Sequence, residues 1–430
     1  MSEDFESTTV PGGQVHLWST SRFHTITMVA YWVWPLQRET VTAATLLPHV
    51  LLRGTRNLPE FDDLQNAFSD LYGASIQADA KRKGDLVTLE FVVQVPAGQR
   101  IAEGLDLTRP ALELLGQVLW DPLVVGDGFE EDRVHREKEQ HRKRIASLMD
   151  DKMLYAAQRC TAEMFAGQAY AAPRYGFEED LAQISGASLY ALYEQIRDGG
   201  SFHLFVAGPV DPDQVVAFAA KWGRAGVRGD WSAGEPFMAD RPVKMVEEVM
   251  DIQQGKLNIG YRTGSAWRDQ DFPAMMMYNG VLGGFPHSKL FINVRERANL
   301  AYYASSRLDA HKGVLYVMTG IPSDHRDTVM EIVDRQVEAM ARGEINDEEW
   351  TWTRIGLQNQ YRELQDSPYG MIDMRLAGIL HGVSRSPGEM IEALDAVTEE
   401  EVAAVGRRVQ KDTVYFLRGK EGTEDAGTEV

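Results

Sequence analysis

Between residues 8 and 34 apolar and polar side chains alternate on both sides of Pro11-Gly12-Gly13. A period of two broken by a Pro-Gly-Gly turn predicts antiparallel strands joined by a tight connection, with Val15, Leu17, Ile26 and Met28 facing a core. Over 41–52 the apolar spacing lengthens to that of a helix ended by Gly54, and a second helix is predicted over 61–71. A buried strand follows over 86–95, helices fill most of 101–197, and strand pattern returns at 201–208. The second half repeats this order. Strands are predicted over 243–250 and 256–261, helices over 272–281 and 289–297, and a strand over 314–321. Long helices then lead to a last strand at 413–417 and an acidic, Gly-containing tail that should fray.

Two features turn this order into a domain plan. Periodicity disappears over 222–242, where Gly223, Gly226, Gly229, Gly234, Pro236 and Pro242 accumulate, and such a stretch reads as a linker. Residue identities also recur: Tyr72, Ala74, Ser75, Asp79 and Ala80 reappear 230 positions later as Tyr302, Ala304, Ser305, Asp309 and Ala310. We therefore expect a duplicated α+β protein, with residues 1–222 as one domain, 223–242 as a linker and 243–430 as a second, similar domain. Each should pack a mostly antiparallel sheet against a layer of helices.

Composition narrows the function. Hydrophobic residues make up 44% and charged residues 25% of the 430, the balance of a folded chain. The net charge of −20 repels phosphate backbones and anionic lipid, which argues against nucleic acid and membrane as partners. Cys160 is the only cysteine, so an intrachain disulfide and a cysteine metal cluster are excluded. A reducing compartment fits. The first residues lack a basic region followed by an apolar run, and no apolar stretch reaches the ~20 residues of a membrane helix, so a cytoplasmic location is expected.

The segment Thr45-Leu46-Leu47-Pro48-His49-Val50-Leu51-Leu52-Arg53-Gly54-Thr55 resembles the zinc-site helix of pitrilysin/insulinase-type peptidases, with their inverted H-x-x-E-H motif. In the second half, Leu282-Gly283-Gly284, Ser288-Lys289-Leu290-Phe291, Arg295-Glu296 and Leu300-Ala301-Tyr302 resemble the second-domain signature of the same family. The resemblance spans nearly the whole chain. It implies the duplicated LuxS/mitochondrial processing peptidase-like fold in its short two-domain form.

The departures decide the chemistry. The resemblance places the first zinc histidine at Thr45, the catalytic glutamate at Pro48 and the second histidine at His49. Val134 and Glu137 match the V-x-x-E pattern that precedes the third ligand by seven residues, which puts that ligand at Arg144. Threonine is a poor zinc ligand, proline offers no side-chain acceptor, and arginine sets a fixed positive charge where a dication should sit. One imidazole does not hold catalytic zinc. Pro48 also removes a backbone donor from the helix, at about 3 kcal/mol in a helix interior, so the helix is expected to start or kink there. His49 is expected to be a packed or hydrogen-bonded residue. Over 135–141, Glu137 and His141 are one turn apart, as are His135 and Glu139; the neighbouring Lys and Arg residues favour a solvated, charged helix face over a metal site.

The family resemblance implies that Arg295 and Tyr302 are a substrate-binding pair. A guanidinium and a phenol can hydrogen-bond substrate carbonyls and a developing oxyanion without supplying metal or nucleophile. Gly283 and Gly284, with Ser288 beyond them, are candidates for a substrate-contacting loop. The expected function is the non-catalytic subunit of a heterodimeric zinc metallopeptidase. This chain would hold no cofactor, close the chamber over a peptide substrate and contribute Arg295 and Tyr302. A homologous subunit would bring the intact H-x-x-E-H and its zinc. The alternative is an inert scaffold resembling the core subunits of respiratory complexes.

Overall fold

The computed structural model describes residues 4–222, 231–239 and 241–420. Part of the expected linker (223–230 and 240), the first three residues and the acidic tail from 421 lie outside the described residues. The chain forms two compact units. One comprises Met1–Ala146, Ala172–Ala233 and Ser367–Leu376, the other Ser147–Ala171, Gly234–Asp366 and Ala377–Val430. The second unit thus takes a helical segment from before the expected boundary, and the first takes the N-terminal part of a helix from far beyond it.

The first unit is built on a sheet of β1 (Glu6–Val10), β2 (Gly13–Ser19), β3 (Thr25–Pro35), β4 (Ser75–Lys83), β5 (Leu86–Pro96) and β6 (Ser201–Gly208). Their order across the sheet is β1-β2-β6-β3-β5-β4. The β1/β2 hairpin turns at Gly12, whose φ of 83° lies where an L side chain is strained. Val15, Leu17, Ile26 and Met28 are all buried, as the alternation requires. Helices α1 (Val41–Leu51), α2 (Phe61–Ser69), α3 (Thr108–Trp120) and α4 (Glu131–Asp150) follow in the chain. Next come α5 (Lys152–Met164), which belongs to the second unit, then α6 (Gly186–Gly199) and α7 (Pro212–Ala219).

The second sheet contains β7 (Lys244–Val249), β8 (Gly255–Arg262), β9 (Tyr303–Asp309), β10 (Val314–Ile321) and β11 (Gln410–Arg418) in the order β7-β11-β8-β10-β9. Without β1, the two orders coincide strand for strand. The likeness extends to direction: β2 and β6 run parallel, as do β7 and β11, and the other pairs are antiparallel. Tyr72 and Tyr302 both stand just before the outermost strand, β4 or β9, of their sheets. The duplication expected from the recurring residues is therefore structural, and the fold is α+β throughout.

Helices α8 (Phe272–Asn279), α9 (Arg326–Arg342), α10 (Asp347–Leu364), α11 (Pro368–His381), α12 (Pro387–Ala396) and α13 (Glu399–Gly406) complete the described elements. Three local expectations need correction. Strands β4 and β9 are not visible as apolar alternation, because edge strands rich in Lys, Asp and Ser suppress unwanted pairing and carry little apolar signal. The segment expected as a helix over 289–297 is π-helical over Phe291–Arg297, and α8 likewise passes into π-helical turns over Gly280–Gly284. Pro48 neither starts nor ends α1, which runs through it without interruption.

One buried pair in the first sheet makes stability pH-dependent. His16 Nε2 lies 3.1 Å from His203 Nδ1, and Ser7 Oγ is 2.7 Å from His16 Nδ1. Burial, then the charges of His203 and Arg375, lower the His16 pKa to about 2. The imidazole is thus neutral in the fold, while the unfolded chain takes up a proton below 6.5. Binding more protons in the unfolded state means that stability falls as pH drops from 6.5 toward about 2. In His16→Phe, where an aromatic ring is kept over Phe205, urea unfolding at neutral and acid pH should show a flatter dependence than in the wild type.

Candidate functional site

The residues that the resemblance places at zinc-ligand positions come together in the first unit, on the facing sides of α1 and α4. Positions 134, 137 and 141 of α4 are its buried stripe, the spacing of one helix face. Glu137 and His141 therefore point inward while His135 is exposed. The solvated face expected for this segment is correct for its other residues and wrong for these two.

Thr45 is buried, and its hydroxyl donates to the Val41 carbonyl oxygen at 2.9 Å, within its own helix. His141 Nε2 donates to the Tyr175 carbonyl at 2.7 Å and lies 3.4 Å from Thr45 Oγ1. That bond fixes the tautomer, leaving His141 Nδ1 buried without a hydrogen-bond partner. Burial lowers the His141 pKa, and the Arg144 charge lowers it further against the opposing bond to Tyr175. His49 is half-buried, and its Nε2 also lacks a partner. Its pKa falls to about 4 through burial and then the Arg144 charge, against which Asp79 acts. Both imidazoles are neutral at pH 7.

Glu137 is completely buried and accepts from Arg53, and Arg144 Nη2 stands 3.8 Å from its other oxygen. One carboxylate is thus shared by two guanidinium groups. The position that the resemblance gives to the third ligand carries the Arg144 cation, the one it gives to the general base carries the ring of Pro48, and the hydroxyl of Thr45 is committed to backbone. Among the described residues, no group of three or more His, Cys, Asp or Glu side chains is placed to hold a metal ion. The donors present do not fit a catalytic zinc.

His49 and Arg144 open onto a cleft of about 330 Å³ whose other walls include Gln77, Asp79, Lys81 and Glu90. Asp79 and Glu90 are directly opposite across β4 and β5, an unfavourable placement for like charges. Cations relieve it: Lys81 bonds Glu90 at 2.7 Å and Arg174 bonds Asp79 at 3.0 Å. Glu90 also accepts from Tyr31 at 2.8 Å and from Tyr369 at 2.5 Å. Sequence reasoning had not connected these residues. The available signal was Glu90 itself, the one carboxylate in a largely apolar strand, which demands buried partners.

In the second unit, Arg295 lies on the π-helical segment, with its guanidinium 4.7 Å from the Phe291 ring centroid and 3.8 Å from Glu296. Tyr302 is 72% exposed, so it is no core residue, and its backbone N–H donates to the Gly320 carbonyl at 3.0 Å. It lines a cleft of about 790 Å³ together with Gln254, Pro322, Asp324 and Arg418. Arg295 is not part of that lining. Of the expected loop residues, Gly284 is exposed, whereas Gly283 and Ser288 are buried. A side chain at Gly283 would meet the Ser306 backbone nitrogen at 2.5 Å, so close packing against β9 accounts for that glycine.

Comparisons with known proteins bear on this arrangement. Residues 183–357 match the model of the peptidase M16 inactive domain. The chain is 36% identical over 413 residues, 96% of its length and 97% of the relative's, to the probable inactive metalloprotease YmfF of Bacillus subtilis. A conserved protein of Enterococcus faecalis V583 superposes with a TM-score of 0.91 at 27% identity, covering 98% of this chain and all of that one. A peptidase M16 inactive domain from Pseudomonas fluorescens has the same fold, with a TM-score of 0.80 at 15% identity over 96% and 98% of the two chains.

Two measurements test the site. Elemental analysis of the purified chain should find no stoichiometric zinc; one tightly held zinc per chain, lost in His49→Ala, would contradict the geometry. Glu137→Gln leaves Arg53 and Arg144 facing each other without their carboxylate. It should therefore lower stability by about 2–3 kcal/mol, below the fully buried value because both guanidiniums reach solvent. Urea unfolding measures it.

Proposed function

The chain belongs to the M16, pitrilysin-like, peptidase family and is a homologue of its inactive metalloproteases; from that premise we propose that it is the non-catalytic subunit of a heterodimeric zinc peptidase. The observation that carries this reading is a contrast between the two units. In the first, Thr45, Pro48 and Arg144 stand at the positions expected for metal ligands and base, and Arg144 shares the carboxylate of Glu137 with Arg53. In the second, Tyr302 stands out into solvent beside a cleft, and Arg295 is partly exposed. Burying polar groups in a lost metal site serves stability alone; leaving a phenol exposed does not.

In this reading a homologous subunit supplies the intact H-x-x-E-H and its zinc, and this chain closes the chamber around a peptide. Arg295 anchors substrate carbonyls, Tyr302 donates to the developing oxyanion, and Gly284 borders the peptide. Both donors act by position and charge, so neither has to change protonation state. A cytoplasmic setting suits the buried free thiol of Cys160. No helix among the described residues is long and apolar enough to cross a membrane.

The test is co-purification with the homologous subunit and cleavage of a peptide that the wild-type complex cuts. Arg295→Ala and Tyr302→Phe should each reduce turnover by about 10²–10³-fold while the mass of the complex is unchanged. Full activity in both variants with the complex intact would favour the scaffold reading.

A further inference from the structure

The two sheets share one strand order but differ at one edge. In the first, β2 is flanked on its outer side by β1, which pairs with it antiparallel from Glu6 opposite Leu17 to Val10 opposite Gly13. The counterpart of β2 in the second sheet is β7, and there the order ends. Among the described residues, β7 pairs with β11 alone. A strand with one neighbour presents its other row of backbone N–H and C=O groups outward, ready to receive a further strand.

The side chains do not guard this edge. Val243, just before β7, and Met245 and Val249 within it are exposed on one face, with Glu247 among them. Edges are commonly protected by uncompensated charge, above all lysine. On β7 each charge is already matched within the second unit. Lys244 Nζ bonds Glu163 at 2.6 Å, and Glu247 accepts from Arg418 and, at 3.0 Å, from Arg326. Glu248 accepts from Tyr155 at 2.6 Å, Tyr415 at 2.7 Å and Arg159 at 3.3 Å. The edge is apolar where it is most open and neutralised where it is charged.

We propose that β7 is a docking edge for a second copy of this chain, whose own β7 pairs with it antiparallel across a two-fold axis. An axis normal to the sheet keeps like faces together, so an even-numbered residue meets an even one and an odd meets an odd. Centring the pair on Glu247 would set two carboxylates opposite each other. Centring it on Val246 places Lys244 opposite Glu248, Val243 opposite Val249 and Val246 opposite itself, which matches charge with countercharge and apolar with apolar. Met245 then lies opposite Glu247, whose charge Arg418 and Arg326 already hold. The net charge of −20 on each copy opposes association, but it is screened beyond ~8 Å at physiological ionic strength, whereas cross-strand bonds act at contact. The product is a weak dimer with one continuous sheet. The inference goes beyond the proposed pairing with a catalytic subunit and does not depend on it.

Sedimentation equilibrium of the full-length chain tests it. The mass should rise with concentration from that of one chain toward that of two by about 100 µM. Val246→Lys sets two ammonium groups opposite each other and should weaken association by about fivefold, with folding verified by a thermal melt. Added cysteines test the register, since the native Cys160 is buried. With an added oxidant, Val246→Cys should be captured as a covalent dimer, because its Cα atoms face each other at ~4.5–5.5 Å across the axis. Val249→Cys should not be captured, because Val249 lies opposite Val243 of the second copy. If Val246→Lys fails to fold, the two cysteine variants carry the test. The mass of one chain at every concentration overturns the proposal, as does undiminished association in a folded Val246→Lys or capture of Val249→Cys as readily as Val246→Cys.

Discussion

The polar cluster between α1 and α4 in the first unit depends on the carboxylate of Glu137. It projects from α4 into a buried space bordered by α1, where two guanidinium groups converge on it. An isolated carboxylate there would be too costly to keep charged, and an isolated guanidinium pair would repel. The three together tie the end of α1 to α4 through one buried carboxylate. Arg53, just beyond the end of α1, ties the carboxylate to the very helix that carries Thr45, Pro48 and His49.

The same economy is visible in the sheets. Central strands such as β3, β5 and β6 are almost wholly buried, so their sequences are apolar and their register is set by the core. The outermost strands β4 and β9 are more polar: β4 places Asp79 and Lys81 on the wall of the first unit's cleft, and Tyr302 immediately precedes β9 in the second. An edge strand must be polar to avoid mispairing, and that polarity makes it available for recognition.

The alternation before and after Gly12, the helical spacing of α1 and the apolar runs of β5, β6 and β10 were legible because each reflects burial of one local face. The repeat of Tyr72 through Ala80 at Tyr302 through Ala310 revealed the duplication for the same reason: equivalent places in equivalent sheets require similar residues. The chemistry of Thr45, Pro48 and Arg144 was legible too, since none of these side chains suits a zinc ligand or a general base whatever surrounds it. What the sequence left open was where the polar residues of α4 point. A helix with charges on every side gives no apolar stripe, and the inward turn of Glu137 and His141 appears only when Arg53 and Tyr175 are seen to receive them.

By itself, then, the sequence determined the two-domain α+β fold and its duplication, because local periodicity is carried by the residues alone. Tertiary structure decided that Asp79 stands opposite Glu90, that Glu137 is shared by Arg53 and Arg144, and that Tyr302 is exposed while Ser288 is buried. These depend on pairing between segments far apart in the chain. The energy of a charge is set by what else is brought within a few ångströms of it and how much water remains, and no stretch of sequence contains that distance.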